Sequence, residues 1–277
     1  MANQVWQAMY LDRLRITSVD LVVDIGCGDG QVCALAGQSG AEVIGIDIGA
    51  KFIEEAVQRM RLTPARGFRG IVSNCDPVPL PDGIASVVLC TEVLEHVDIP
   101  ERLLADLVRI GKPGARYLLS VPDPVSEAIM RVAAPRWYFE ANHQRVYGRE
   151  EFHTLVTAAG LEAKEHLYFG FPEAMAWFVR MLYGMENADA LPPPPPSLLS
   201  DWDQFVSRLA AMPRGLDVLH ALSQYVPKSH VLIAEKIERL AIQEPEDQRW
   251  SVLRAALRRL LRVRIGSFEI GVRRVAA

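Results

Sequence analysis

Leu21-Val22-Val23-Asp24-Ile25-Gly26-Cys27-Gly28-Asp29-Gly30 is the stretch from which the fold is read. Leu21 to Ile25 is a short apolar run ending in glycines, the mark of a strand buried within a parallel sheet. Gln31 to Gln38 then reads as a helix. A strand that runs through Gly-x-Gly-x-Gly into a helix needs a physical reason. Glycine lets the backbone turn sharply and lets a ligand approach the main chain. The helix start behind it offers unpaired N–H groups. Turns of this kind also cradle pyrophosphate, so the glycines alone do not choose a ligand. The spacing here is Gly-x-Gly-x-Gly rather than Gly-x-Gly-x-x-Gly, and Asp24 and Asp29 stand before and within it. Negative charge is unfavourable beside a phosphate and favourable beside a cationic ligand.

Outward from this turn, strands and helices alternate. Strands are expected at Glu42–Ile46, Gly70–Ser73, Ser86–Cys90, Tyr117–Val121, Leu161–Phe169 and His230–Glu235. Helices are expected at Lys51–Met60, around Glu101–Ile110, and at Arg149–Ala159, with a short amphipathic helix over residues 5–16. The pattern predicts an α/β fold, a doubly wound, mostly parallel seven-stranded sheet. Such sheets bind ligands beyond the carboxyl ends of their strands. Residues 122–148 and 170–227 break the alternation, and both are expected as helical insertions at that end. The second includes an apolar piece, FPEAMAWFVRMLYGM, and five consecutive prolines, Pro192 to Pro196, a stiff spacer or strap. Asp47 ends the second strand, about 20 residues beyond the turn, where a carboxylate accepts bonds from both hydroxyls of a ribose.

Bulk properties exclude several classes. The chain has 277 residues, half of them apolar, and a formal charge of −4. A general nucleic-acid binder carries a basic excess, so none is expected as a partner. Cys27, Cys33, Cys75 and Cys90 show neither CxxC nor zinc-ligand spacing, and no metal ligand set is assigned. Free thiols suit a reducing cytoplasm. The N-terminal residues lack the apolar core of a signal peptide, and no window reaches the roughly 18 apolar residues of a membrane span. From Arg249 to Arg274 there are eight arginines and one acid, Glu269. This tail reads as an amphipathic helix followed by a hairpin.

The blocks together resemble the class I S-adenosylmethionine-dependent methyltransferases of the type 11, quinone O-methyltransferase-like group. VVDIGCGDG is similar to the first motif of that family and GIDIGAKFIEEA to its second. NCDPVPLPDG and VVLCTEVLEHVDIPERLLADLVRIGKPGARYLLSVP resemble its later blocks. The resemblance covers roughly residues 20–165 and a final strand near 230–236. It implies a Rossmann-like methyltransferase fold that binds S-adenosyl-L-methionine and releases S-adenosyl-L-homocysteine. It places Asp24, Gly26, Cys27, Gly28 and Gly30 around the methionine moiety. Asp47 and Ile48 fall on the ribose and adenine edge, Asn74 and Cys75 at the adenine, and Thr91 near the methionine end. Three positions depart from the pattern. Asn74 stands where an aspartate is usual, Ser86 replaces an aspartate early in the fourth strand, and Ala115 replaces a glycine.

An oxygen acceptor needs a base or a metal to remove its proton. His96 is a candidate base and Glu95 a candidate metal ligand; alternatively, both orient loop backbone. His143 is a second candidate base, or an anchor for its loop. Trp137, Tyr138, Phe139 and Tyr147 form an acceptor wall or pack that loop onto the sheet. Thr91-Glu92-Val93-Leu94 lacks the Asn/Asp-Pro-Pro-aromatic signature of nucleic-acid amino methyltransferases. The expected function is methyl transfer to a hydroxyl of a small-molecule, glycan or lipid-like acceptor. Nitrogen or carbon methylation and a non-catalytic, cofactor-binding partner protein are the rivals. The expected organisation is a helix or lid at 1–20, a cofactor-binding core at 21–169 and 228–240, an inserted acceptor-side lid at 170–227, and a basic extension at 241–277. The arginine-rich 249–274 segment is a candidate contact with anionic membrane or protein, so the expected location is cytoplasmic, with membrane-peripheral as the variant.

Overall fold

The computed structural model describes residues 10–181 and 196–237. The expectations for residues 1–9, for the proline run before Pro196 and for the 241–277 extension lie outside them. Seven strands form one sheet: β1 (Leu21–Ile25), β2 (Glu42–Asp47), β3 (Gly67–Val72), β4 (Ala85–Thr91), β5 (Gly111–Pro122), β6 (Leu161–Phe169) and β7 (Ser229–Lys236). Their order is β3-β2-β1-β4-β5-β7-β6. Every pairing is parallel except those of β7, which runs antiparallel to both β5 and β6. The chain therefore reverses direction at β1, between β2 and β4, and ligands bind at such a point beyond the strand ends.

The strands bury both faces because side chains alternate along them. One face carries Val23, Ile25, Ile46, Val88, Cys90 and Leu119 against α3 (Pro100–Ile110) and α6 (Arg149–Ala158). The other carries Val22, Val43, Val87, Leu89 and Leu118 against α1 (Gln31–Gly37), α2 (Ala50–Met60) and Tyr10, Leu11 and Leu14 of the N-terminal turn. Each fully buried Leu or Ile here contributes roughly 1.5–3 kcal/mol over an exposed one.

Two strands start earlier than the apolar runs predict. β3 begins at Gly67, pairing with Glu42; it is an edge strand whose partly exposed residues do not form an apolar run. β5 begins at Gly111, opposite Ala85, with a register shift before Val87 pairs with Arg116. Ser86 has its own work. Its hydroxyl donates to Asp20 Oδ1 at 2.8 Å and accepts from the Leu21 amide at 3.0 Å. Asp20, bonded also to Arg116, supplies the carboxylate that the fourth strand lacks.

Both irregular stretches emerge at the carboxyl ends of β5 and β6. The first forms α4 (Pro124–Ala133) and α5 (Pro135–Glu140), helices in an insertion expected at this end of the sheet. Asp123 caps α4 through its side chain to the Val125 amide at 2.8 Å, with Pro124 in the first turn. The second forms α7 (Phe171–Met181), α8 (Pro196–Ala210) and α9 (Gly215–Ser223). Ala174 and Phe178 of α7 pack against Met130 of α4 and its C-cap residue Ala134, and the Trp202 indole donates to Pro172 O at 3.0 Å. The two insertions thus form one helical cap. At its base the Asp123 amide bonds Lys228 O, and the Lys228 amide bonds Phe169 O.

Candidate active site

The glycine turn is stapled to β2. The amides of Gly26 and Cys27 both donate to Ile46 O, at 2.8 and 3.0 Å. Gly26 has φ +69°, and a Cβ there would lie 2.3 Å from Val93 Cγ2, so packing alone demands glycine. Gly28, at φ +51°, differs: a Cβ there would meet nothing within 4 Å. Its open side faces no protein atom, as close approach by a ligand requires. Gly30 is the N-cap residue of α1.

Asp24 is buried beneath this turn. Cys33 Sγ donates to its Oδ2 at 3.2 Å, while Oδ1 has no hydrogen-bond partner among the described residues. Burial, with the charge of Asp47 adding, pushes its carboxyl up to about 7. An orphaned buried carboxylate oxygen fits a ligand that brings positive charge. Asp29 does not share that role, contrary to the reading of it as part of a cation-attracting pair. Its carboxylate is held by Arg59 of α2 at 2.6 Å, and its carbonyl accepts from Arg59 Nε at 3.0 Å.

Asp47 accepts from the Gly28 amide at 2.9 Å and the Gly49 amide at 2.8 Å, so the carboxylate that the resemblance assigns to the ribose is linked to the open glycine. Register pairs Asp47 with Val72, and Ile48 therefore leaves the sheet beside Ser73–Cys75. Ile48 is 73% exposed, an apolar side chain free to cover a flat ring. Asn74 turns its carbonyl onto the Asp76 amide at 3.2 Å. The Cys75 amide bonds Ser73 Oγ at 3.0 Å, and burial pushes its thiol up to about 11. Arg109 fastens the following loop through Val78 O and Leu80 O. The sequence-assigned cofactor residues thus converge on the carboxyl ends of β1, β2 and β3, with Thr91 at the end of β4.

Thr91 also lines a pocket of about 90 Å³ whose apolar walls include Tyr10, Leu11, Val32, Leu118, Phe169 and Val231. Its polar lining is Glu92, Ser120 and Lys228, none of them anticipated. Glu92, at φ +57°, accepts from Ser120 Oγ at 2.7 Å, Lys228 Nζ at 2.9 Å and Ser229 Oγ at 2.9 Å. Burial alone would raise its carboxyl; Lys228 and the two hydroxyls outweigh that and hold it below the usual range.

A second cluster follows directly in the chain. Glu95 and His96 lie on a 3₁₀ turn, Leu94–His96. The 141–148 loop brings His143 to them, and one ligand atom from each of the three lies within 4.8 Å of the others. The His96 and His143 rings meet edge-on at 4.8 Å. The loop is bonded tightly to the turn: Gln144 to Glu95 O and His96 O, Arg145 to Val97 O and Asp98 O, Tyr147 to Leu94 O. Glu95 is 1% exposed, and neither carboxylate oxygen has a hydrogen-bond partner among the described residues. Burial, then the charge of Glu92, pushes it well above the usual range. Burial and His143 lower His96. Glu127 of α4, unanticipated and buried, meets His143 Nδ1 at 3.0 Å. Of the aromatic wall, Tyr147 is core, Phe139 is 88% exposed and Tyr138 stands edge-on to His143 at 6.4 Å.

The profile of the methyltransferase-domain family matches residues 9–166, more than half of the chain. The ubiquinone biosynthesis O-methyltransferase of Pseudomonas aeruginosa is 36% identical over 100 residues, 36% of this chain and 43% of that enzyme. Its counterpart in Maricaulis maris is 30% identical over 141 residues, 49% of this chain and 52% of the enzyme. The chain thus matches about half or less of these relatives' length. Among solved structures, the geranyl diphosphate C-methyltransferase of Streptomyces coelicolor was captured with Mg²⁺, geranyl-S-thiolodiphosphate and S-adenosyl-L-homocysteine. It superposes with a TM-score of 0.55 at 18% identity, covering 84% of this chain and 76% of that one, a likeness of fold. With the family match, the strand order and the glycine turn in agreement, the chain belongs to the class I S-adenosylmethionine-dependent methyltransferases.

Proposed function

We propose that this protein transfers a methyl group from S-adenosylmethionine to a hydroxyl of a small-molecule, glycan or lipid-like acceptor. When bound, the cofactor supplies a methyl carbon activated by a sulfonium. The chain's own residues hold and align the reactants, the larger part of catalysis for an in-line displacement. Gly28 gives the ligand access to the backbone, Asp24 offers an unpaired carboxylate oxygen, and Asp47 stands at the ribose position. The pocket over Thr91 has apolar walls and one polar end, which suits an apolar acceptor that carries a polar group.

The observation that supports a hydroxyl acceptor is the Glu127–His143–His96–Glu95 cluster beside this strand end, in which only His96 reaches solvent freely. A carboxylate bonded to one ring nitrogen orients an imidazole for proton transfer. An acceptor nitrogen or carbon would ask less of such a cluster. Methyl-labelled cofactor incubated with fractionated cell extract tests the reading. Label is expected in a hydroxyl-bearing lipid, glycan or small-molecule fraction; label in none of them would refute it.

No helix among the described residues is long and apolar enough to cross a membrane. The 249–274 arginine segment is proposed as a contact with anionic membrane or protein. Loss of liposome and partner binding on its removal is the expected result.

A further inference from the structure

We infer that Lys228 is a catalytic residue of the methyl transfer, its ammonium donating a hydrogen bond to the acceptor oxygen as that oxygen becomes an anion. This rests on the proposed function in taking the reacting atom to be oxygen. The pocket over Thr91 joins the two places concerned. One of its walls is Val32, in the first turn of α1 directly behind the glycine turn, and another is Lys228. An acceptor in this pocket therefore lies between the cofactor end of the sheet and the ammonium. Lys228 directly precedes β7, and its main chain is fastened on both sides. Its amide donates to Phe169 O at 2.7 Å, and its carbonyl accepts from the Asp123 amide at 3.0 Å. Thr91 and Ser120, register partners across β4 and β5, line the same pocket.

A lysine ammonium has three N–H donors. Two are spent, on Glu92 Oε2 at 2.9 Å and Ser229 Oγ at 3.4 Å, and the third has no partner among the described residues. Glu92 keeps no such reserve: Ser120 occupies Oε1, and Lys228 and Ser229 occupy Oε2. What the network offers an acceptor is therefore a donor. Burial alone would lower the Lys228 ammonium; Glu92 outweighs that and holds it above the usual range. It stays charged and takes up no proton, so it serves as a fixed positive group and not as a base. Glu92 also offsets that charge, which lets a sulfonium approach the same pocket. Glu95 and Glu173 act on the ammonium as well. Burial raises both carboxyls, Glu173 to about 7, and raises the Tyr10 hydroxyl. A fixed donor aimed at developing charge, away from bulk water, stabilises the transition state more than the ground state. In the step itself the acceptor O–H bond breaks and its proton passes to the imidazole base of the proposed function. The oxygen lone pair forms the new bond to the methyl carbon, while the carbon–sulfur bond breaks and its electrons go to sulfur. Lys228 keeps all its protons throughout.

4-Nitrophenol, coloured when ionised, probes this oxyanion position in the full chain saturated with S-adenosylhomocysteine. Titrated by absorbance, the bound probe should ionise about 1–3 pH units below the free one. Lys228→Met should abolish that shift, and Lys228→Arg should retain it. Because Lys228→Met strands the Glu92 carboxylate, the double variant Lys228→Met with Glu92→Gln is measured beside it. The double variant removes both charges, should melt as the wild type does, and should also lack the shift. A lysine that only latched the cap would leave the ionisation of the probe the same in all four proteins. No binding of the probe by the wild type, an unshifted bound probe, or an equal shift in the double variant overturns the inference. If the shift depends on Lys228 but the transferred methyl is found on nitrogen or carbon, the catalytic role falls with the proposed hydroxyl acceptor, while the oxyanion-binding site stands.

Discussion

Cofactor affinity should depend on pH through Asp24. Burial holds this carboxyl at about 7 instead of its ordinary 3.8, so near neutrality it is divided between its two forms. A ligand bearing an ammonium and a sulfonium favours the ionised form. At pH 6 about one eleventh of the free protein carries that form, and at pH 8 about ten elevenths. Affinity should therefore rise about tenfold from pH 6 to pH 8, about 1.4 kcal/mol, and level off above. Stability without cofactor should move the opposite way. The folded protein keeps a proton that the unfolded chain has lost, so stability falls as pH rises from about 4 to about 7. Asp24→Asn removes both dependences. It should bind cofactor more weakly at pH 8 and, without cofactor, melt at a higher temperature than the wild type there. Calorimetry with S-adenosylmethionine between pH 6 and pH 8, at fixed ionic strength, is the assay. A flat wild-type profile, or an equal slope in Asp24→Asn, would refute the assignment of a ligand charge to the orphaned oxygen.

Three further outcomes follow from the geometry. Asp47→Ala removes the ribose acceptor and unpairs the Gly28 and Gly49 amides; cofactor affinity should drop by about 1.5–3 kcal/mol, the worth of hydrogen bonds to a charged group, and unchanged affinity by calorimetry would dismiss the ribose role. Gly26→Ala and Gly28→Ala should separate: the first drives a methyl into Val93 and lowers the melting temperature strongly, while the second costs only the left-handed backbone, about 1–2 kcal/mol, and chiefly weakens cofactor binding. His143→Ala should cut turnover while leaving cofactor affinity intact, and a parallel loss of affinity would show that His143 merely supports the cofactor loop.

The sheet was legible because buried parallel strands read as apolar runs and the insertions as breaks in alternation. Asp47 was legible because its place at a strand end follows from spacing. Edge strand β3 was less so, since its partly exposed residues carry little apolar signal. Asp29 misled because its partner, Arg59, lies on the next helix, and composition near the turn cannot show a charge already neutralised. Glu127 and Lys228 were invisible for a similar reason. Each is a polar residue in an otherwise ordinary segment, and only the helical cap brings them to His143 and Glu92. Glu92 did leave a trace, three residues before Glu95 within Thr91-Glu92-Val93-Leu94-Glu95-His96. His143 was found as a loop histidine. Its approach to Glu95 across 48 residues of chain depends on the loop bonds to the 3₁₀ turn.

The central claim is that the transferred methyl ends on oxygen. Isotope-labelled methyl from S-adenosylmethionine, followed into the purified product and identified there by nuclear magnetic resonance, tests it most directly. The account predicts a labelled methyl ether or ester whose formation is lost in Asp47→Ala. Label bonded to nitrogen or carbon, or cofactor bound without any methyl transferred, would contradict it.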